Sequence, residues 1–495
     1  RILGSIAVNL VEAQCCHVFL QTSARSTEQQ QRLSMRLSDQ FGYDLTLTSP
    51  AAAEAWDKTV LAFLAHGKTT PAHLETCLTE EPNFALGHAT RGLFCLLLGR
   101  KELVETAREC LSIARSSAAN SSVTERETAV IEALAAWLNG FPSRSADLLD
   151  AALSKAPRDA LLLKLVHAIR FVLGDATGMR SSIDGVFDAY DPQNPAYGYV
   201  LGCRAFSLEE TGEYRLAEAA GRLGLEHARD DAWGLHAVAH VHDMTGRTEE
   251  GAGWLENHPD GWAHCNNFGY HVWWHLALMY LDQGQADKAL MLYDRDIRKD
   301  KTDDYRDISN AASLLVRLEL EGIDIGSRWD ELALISDKRA EDGCNVFADL
   351  HYLMALLNGG RRMGADRLIA GLKQRADQET DIGHVSSEAG LPAGLGLEQY
   401  RKGNYASAFT LLTSARSNMP RIGGSHAQRD VFERITIDAA LRAGLSVEAE
   451  TLIKDRSRKR GALDRFAEQR LETCQKMRRA EKVMQADSLR ATNSY

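Results

Sequence analysis

The sequence predicts an all-α fold, an α-solenoid in which successive helical hairpins stack into a superhelix. Glycines recur at regular spacing between apolar helical segments, which is the first sign of a repeat. Proline is scarce, with 10 in 495 residues, as long helices require. No period-2 run of useful length competes with the helical pattern. With 44% hydrophobic residues, the chain can bury a large core.

The glycines mark the turn inside each hairpin. Each one separates two apolar helical segments, as in AFSLEETGEYRLAEAAGRL and MYLDQGQADKALMLY. Glycine readily takes the left-handed backbone angle that ends a helix. One hairpin cannot bury its apolar face alone, so neighbours must stack. The glycines recur every 34–43 residues, at Gly99, Gly140, Gly174, Gly212, Gly246, Gly284, Gly322, Gly360, Gly403 and Gly444.

The second helix of each hairpin supports the same interpretation. Ala217, Ala289 and Ala408 follow their glycines by five residues, where a small side chain lets two helices approach closely. GEYRLA and GNYASA are similar to the Gly-x-Tyr-x-x-Ala opening of a tetratricopeptide helix. We therefore expect one tetratricopeptide-like solenoid over residues 35–470, followed by a C-terminal helix and tail over 471–495.

The first 34 residues do not fit this repeat. An apolar run follows Arg1, Glu12 interrupts it, and a polar stretch without hydrophobic period follows. We expect residues 1–34 to be a disordered or mis-called N-terminal extension outside the fold, with a signal peptide as the alternative.

Charge and cysteine content limit the partners and the compartment. The formal net charge is -11, which argues against nucleic acid as the main partner. The nine cysteines are scattered and include no CxxC pair, so we expect reduced thiols in a cytoplasmic protein. No apolar run is long enough for a membrane span, so a membrane is not expected as a partner.

One window concentrates histidine and tryptophan. Eight of the 16 histidines lie between His227 and His275, and five of the eight tryptophans lie between Trp233 and Trp274. His236 and His240 are spaced i, i+4, as are His271 and His275 on the next predicted helix. Two such pairs on adjacent helices could hold zinc or another divalent metal, although the HExxH motif is absent. A hydrogen-bonded histidine and tryptophan core is the alternative.

Further polar residues extend the candidate site. His351 lies nine residues before Gly360, the same offset that separates His275 from Gly284, so we expect similar heights on their helices. The candidate metal ligands are His240, His271, His275 and His351. The candidate catalytic residues, as orienter or general base, are Asp349 and Asp430. The candidate ligand-binding residues are Arg429, Gln428, Trp274 and His236.

Several longer strings resemble one family. AHVHDMTGR, HVWWHLALMYLDQGQADKALMLYD, LEGIDIGSRW, ADLHYLMA and GLPAGLGLEQYRKGNY followed by IGGSHAQRDVF are similar to the family named after tetratricopeptide repeat protein 38. The resemblance spans roughly residues 40–470. It implies a tetratricopeptide-like superhelix and brings no established activity. The residue types that it carries over are His240, His271, His275, Asp349, His351, Gln428, Arg429 and Asp430.

Two functions remain open at this point. The first is a repeat protein that binds a peptide, a protein or a small acidic ligand in a His/Trp-lined concave groove, with Arg429 neutralising the ligand. The second is a metal-dependent hydrolase or lyase whose histidine-rich site lies in the same groove. A closed pocket favours the enzyme and an open groove favours the binding protein. The sequence leaves open the cofactor, the oligomeric state and whether the chain is an enzyme.

Overall fold

A computed structural model describes residues 37–492, with side chains to residue 485. Within that range the predicted all-α solenoid is confirmed, because helix follows helix and consecutive helices pack on each other. The expectation for residues 1–34 lies outside the described residues. The described part opens with a small antiparallel pair of strands, β1 (Leu37–Ser38) and β2 (Asp44–Leu45), in which Leu37 lies opposite Leu45.

The first half of the solenoid contains ten α-helices. A short 3-10 helix, Phe187–Ala189, precedes the ninth. The bounds are α1 Pro50–Leu64, α2 Thr70–Glu80, α3 Ala85–Leu97, α4 Lys101–Asn120, α5 Glu125–Leu138, α6 Pro142–Lys155, α7 Ala160–Leu173, α8 Ala176–Asp184, α9 Tyr197–Glu210 and α10 Tyr214–His227.

The second half continues the same alternation with α-helices from Ala232 onward. Two 3-10 helices, Pro259–Trp262 and Met419–Ile422, and two π-helical turns, Tyr293–Ile297 and Ser386–Gly390, interrupt it. The bounds are α11 Ala232–Met244, α12 Thr248–Glu256, α13 Phe268–Asp282, α14 Ala286–Leu292, α15 Tyr305–Leu320, α16 Arg328–Arg339, α17 Val346–Asn358, α18 Arg362–Ala376, α19 Asp381–Val385, α20 Leu391–Arg401, α21 Tyr405–Ala415, α22 His426–Arg442, α23 Ser446–Arg460 and α24 Arg465–Thr492.

The glycine turns lie where the sequence predicts them. Gly246 (φ +70°) follows α11 and Gly284 (φ +76°) follows α13, so each turn reverses the chain after a histidine-bearing helix. The other eight predicted turn glycines also have positive φ. Ala217, Ala289 and Ala408 are fully buried in the second helices of their hairpins.

The solenoid curls until distant hairpins touch. The backbone N–H of Asn266 donates to the His66 carbonyl at 2.9 Å, which joins the first hairpin to the middle of the chain. The backbone N–H of His426 donates to Glu210 Oε1 at 2.9 Å, which joins α22 to α9. First, middle and last hairpins therefore surround one shared interior.

The C-terminal helix α24 begins at Arg465 and packs against α23. It contains the described part of the predicted 471–495 segment. Among the helices of residues 37–492, none combines the length and the apolar character that crossing a bilayer requires.

Candidate functional site

The two histidine pairs meet inside the superhelix. Helices α11 and α13 are the first helices of neighbouring hairpins, and each carries its pair on the face that looks into the interior. Asp231 caps the start of α11 by accepting a hydrogen bond from the Gly234 N–H at 3.1 Å. All four imidazoles are buried. The expectation that the pairs converge is thus met in the structure.

The Nε2 atoms of the four rings point at one another. His236 Nε2 lies 2.9 Å from that of His240 and 3.1 Å from those of His271 and His275. The Nε2 atoms of His271 and His275 are also 3.1 Å apart. Four nitrogens that bind one zinc ion at about 2.0–2.1 Å would lie about 3.3 Å from each other. The spacing is therefore close to that of a tetrahedral metal site.

Two partners outside the cluster orient its rings. His271 Nδ1 lies 2.9 Å from Asn310 Oδ1, and His240 Nδ1 lies 3.4 Å from Glu209 Oε2. Asn310 Oδ1 accepts this hydrogen bond, so His271 carries its hydrogen on Nδ1 and turns the lone pair of its Nε2 to the cluster. The Nδ1 atoms of His236, His240 and His275 have no hydrogen-bond partner among the described residues, although that of His240 lies within ion-pair distance of Glu209.

Burial favours the neutral form of three of the imidazoles, those of His236, His271 and His275. It lowers the pKa of His271 to about 3, despite the opposing hydrogen bond with Asn310. Burial first, and then the neighbouring histidines, hold the pKa values of His236 and His275 well below the ordinary value. A metal binds the neutral ring, so these two effects leave His236, His271 and His275 ready to bind one at neutral pH.

Aromatic rings surround the cluster. Trp274 is fully buried and stacks on His271, with ring centroids 5.2 Å apart and an angle of 17° between the ring planes. Phe206 stacks on His236 at 5.6 Å. Trp274 therefore packs against the imidazoles, and the cluster lies in surroundings of low polarity.

A cavity of about 280 Å³ adjoins the cluster, and His271 lies on the wall between them. Its walls come from the first hairpin, the middle helices and α22, and include Phe63, Trp233 and Gln428. Trp233, one of the tryptophans of the histidine-rich window, therefore lines this cavity. Gln428, which the sequence predicts to bind a ligand, lines it as well. Distant hairpins supply the sides of this cavity because the superhelix curls.

Arg429 lies elsewhere. Its guanidinium contacts the Gly423 and Gly424 carbonyls and Glu210, and it lines a second cavity of about 190 Å³ with His426. The predicted neutralising residue therefore does not reach the histidine-lined cavity. Gln428 Oε1 accepts from the Ser425 N–H at 3.0 Å in a capping box.

A buried carboxylate links the cluster to this second cavity. Glu209 lies between His240 and His426, and its Oε1 is 3.1 Å from His426 Nε2. Burial would lower the pKa of His426, but the carboxylates of Glu210 and Glu209 outweigh it and raise that pKa above the ordinary value. The Glu209 carboxylate is thus held ionised beside a metal-ligand candidate.

His351 and Asp349 lie outside the four-histidine cluster. His351 Nδ1 donates to the Phe347 carbonyl at 2.7 Å, and its ring packs against Phe432. Asp349 pairs with Arg375, and burial raises the pKa of Asp349 to about 6. His351 therefore forms its hydrogen bond within its own helix, and His236 is the fourth histidine of the cluster.

Asp430 belongs to a buried ion-pair network. It accepts from Arg434 Nε at 2.7 Å and from Arg456 Nε at 2.5 Å, and Arg456 also contacts Asp464. Burial opposes ionisation, but the arginines hold the Asp430 pKa well below its usual range. An arginine-bound carboxylate of this kind joins α22 to α23 and is a poor general base.

The interpretation of the sequence missed three residues of this site. Glu209 lies on α9 and Asn310 on α15, which belong to the neighbouring hairpins and pack against α11 and α13. Lys164 lines the cavity and interrupts the apolar run ALLLKLVHAIRFVL. A lone lysine inside such a run is a signal that could have revealed it.

Comparison with models of known protein families finds none that matches this chain.

Proposed function

We propose that His236, His240, His271 and His275 bind a divalent transition-metal ion, and that the chain is a metal-dependent enzyme. The observation that carries this proposal is the meeting of four buried imidazole Nε2 atoms at one point. Four lone pairs aimed at each other need a cation or a shared proton between them. Imidazole nitrogen suits zinc, copper, iron and nickel, and zinc is the first candidate.

The residues around the cluster suit a hydrolase or lyase. Four histidines fill a tetrahedral site, so a metal ion held here would act as a Lewis acid on a carbonyl group or on water only through an additional, fifth position. Asn310 holds the ring of His271 by its Nδ1 atom, and the Glu209 carboxylate lies 3.4 Å from His240 Nδ1. Trp274 and Phe206 keep bulk water from the imidazoles. His271 faces the adjoining cavity, which places a substrate beside the cluster.

The alternative of a peptide-binding groove has weaker support. The cavity is walled by helices from the start, middle and end of the chain, which suits a small molecule better than an extended peptide. A small acidic ligand remains part of the proposal, as substrate or as bound effector. Nucleic acid is a poor partner for a chain with a net charge of -11.

The finer assignments are proposals of the same kind. We place the chain in the family named after tetratricopeptide repeat protein 38. The support is the recurrence of turn glycines every 34–43 residues and the similarity of segments such as HVWWHLALMYLDQGQADKALMLYD to that family. A cytoplasmic location is supported by the free thiols of Cys77, Cys110 and Cys203.

Cobalt spectroscopy tests the metal centre. Protein stripped with a chelator is titrated with Co²⁺, and we expect visible absorption bands that saturate at one equivalent. The double variant His271→Ala/His275→Ala should lose the bands, whereas His384→Ala, which removes an exposed histidine, should keep them. Bands that persist in the double variant would place the metal elsewhere. The zinc-loaded protein is then screened for hydrolysis of small esters and amides.

A further inference from the structure

We infer that the cavity beside the four-histidine cluster binds a small organic anion with an apolar body, and that Lys164 holds the anionic group. The inference rests on the proposed function in one respect, because it takes this cavity as the substrate site. It adds the chemical class of the ligand and the residue that selects it.

Lys164 is a buried cation without an anionic partner. It lies in the middle of α7, and only 3% of its surface is exposed. Its ammonium donates one hydrogen bond, to His66 Nε2 at 3.0 Å, and lies 3.9 Å from Cys203 Sγ. The Trp233 ring is 5.1 Å away. Among the described residues, no carboxylate oxygen lies within ion-pair distance of this ammonium.

Burying such a cation costs free energy unless an anion pairs with it. An ammonium has three donors, and two of those of Lys164 have no strong acceptor. Buried charges in folded proteins are generally paired or hydrogen-bonded. Because Lys164 lines the cavity, an anion bound there would supply the missing acceptors.

The nearest buried acid does not replace that anion. Burial raises the pKa of Asp231 to about 7, although Lys164 acts to lower it. The carboxyl group of Asp231 instead caps α11 through the Gly234 N–H. The positive charge of Lys164 is therefore left for a ligand.

The other charged residue in the cavity lining is also positive. The lining contains a second cation, Arg306, and, among the described residues, no aspartate or glutamate. Arg306 is already paired with Asp304, at 2.6 Å and 2.9 Å. Lys164 is thus the cation of this cavity that remains to be neutralised, and the lining selects for negative charge.

The remaining walls define the body of the ligand. Aromatic side chains form much of the surface, among them Phe63, Phe94, Phe171 and Phe268. Gln428 uses its Oε1 to cap its own helix, which leaves the Nε2 amide as a further donor at the cavity wall. These walls suit a small aromatic or aliphatic acid.

A matched set of small probes tests this inference. The probes are 4-phenylbutanoate, 4-phenylbutanol and 4-phenylbutylamine, which share one apolar body and differ in charge. Trp233 lines the cavity, so tryptophan fluorescence reports their binding. We expect wild-type protein to bind the carboxylate about tenfold or more tighter than the alcohol or the amine.

Two lysine variants identify the anchor. Lys164→Met keeps the length of the side chain without its charge, and should lose the preference for the carboxylate while it still binds the alcohol. Lys58→Met removes an exposed lysine and should behave as wild type. A preference that survives in Lys164→Met would overturn the inference. If that variant does not fold, equal affinity of wild type for all three probes, or no binding of any, would overturn it as well.

Metal-free protein separates this inference from the proposed function. Titration of chelator-stripped protein measures the Lys164-dependent preference without any metal ion. A preference retained in a protein that binds no metal would remove the metal centre and keep the anion site. A protein that binds metal but shows no preference for the carboxylate would keep the metal centre and overturn the anion site.

Discussion

The Nε2 atoms of His236 and His275 lie 3.1 Å apart in the interior of the protein, although 39 positions of sequence separate them. Each histidine has a second one a helical turn away, so two neighbouring hairpins bring four imidazoles to one point. This arrangement needs both the helical spacing within each pair and the stacking of the hairpins.

Asn310 should tune metal affinity without touching the metal. Its Oδ1 accepts from His271 Nδ1, so Asn310→Leu removes the group that fixes the ring. We expect about a 10- to 100-fold loss of metal affinity, measured by competition with a chromogenic chelator. Asn310→Asp keeps an acceptor and should retain most of the affinity. Equal affinities of Asn310→Leu and wild type would show that the ring needs no such support.

His351 should make the protein sensitive to acid. Burial lowers its pKa to about 3, against about 6.5 in an unfolded chain. Below pH 6.5 His351 binds a proton in the unfolded state but not in the folded state. The free energy of unfolding therefore falls as the pH drops from 6.5 toward 3. His351→Gln cannot titrate, and its unfolding free energy relative to wild type should improve by about 1 kcal/mol between pH 7 and 5.5.

Urea unfolding of metal-free protein at both pH values measures this change. The comparison is between the two pH values, so a constant penalty for the glutamine cancels. Parallel stability curves for His351→Gln and wild type would mean that His351 titrates normally in the folded protein.

Asp430 should matter for stability more than for catalysis. Asp430→Asn leaves Arg434 and Arg456 without their shared carboxylate, and we expect a loss of about 3–5 kcal/mol in unfolding free energy. Asp366→Asn, on an exposed position of α18, should change it by less than about 0.5 kcal/mol. A stable Asp430→Asn protein that loses activity would restore the catalytic role predicted from the sequence.

Two glycines should respond to alanine in opposite directions. Gly212 has φ +85°, which strains an alanine by about 1–2 kcal/mol, and no atom crowds the position. Gly253 lies inside α12 with open space at its Cβ position, so Gly253→Ala should stabilise the protein by about 0.5–1 kcal/mol. Thermal melting of both variants checks the signs, and a stabilised Gly212→Ala would refute the assigned turn.

Sequence periodicity predicts the hairpins well and the site in part. A glycine turn and an i, i+4 histidine pair are local features, so the turns at Gly246 and Gly284 and the shared face of His271 and His275 follow from spacing alone. The offset that placed His351 beside them also came from spacing. His351 nevertheless lies outside the cluster, because α15 packs between α13 and α17.

The partners of the site depend on long-range contacts. Glu209 reaches His240 from α9, which packs against α11, whereas Lys164 meets His66 in the cavity because the curl that joins His66 to Asn266 brings the first hairpin there. No local pattern encodes that curl. Residue type alone predicts that Arg429 neutralises the ligand. In the structure its guanidinium instead contacts Glu210 and two backbone carbonyls.

Metal content is the most direct test of the four-histidine centre. Protein purified without a histidine tag is analysed by elemental mass spectrometry, as wild type and as His271→Ala/His275→Ala, with circular dichroism to confirm folding. We predict close to one transition-metal ion per wild-type chain and almost none in the folded double variant. A folded wild-type protein that neither carries a metal nor takes one up when zinc, copper, iron or nickel is added would contradict the proposal.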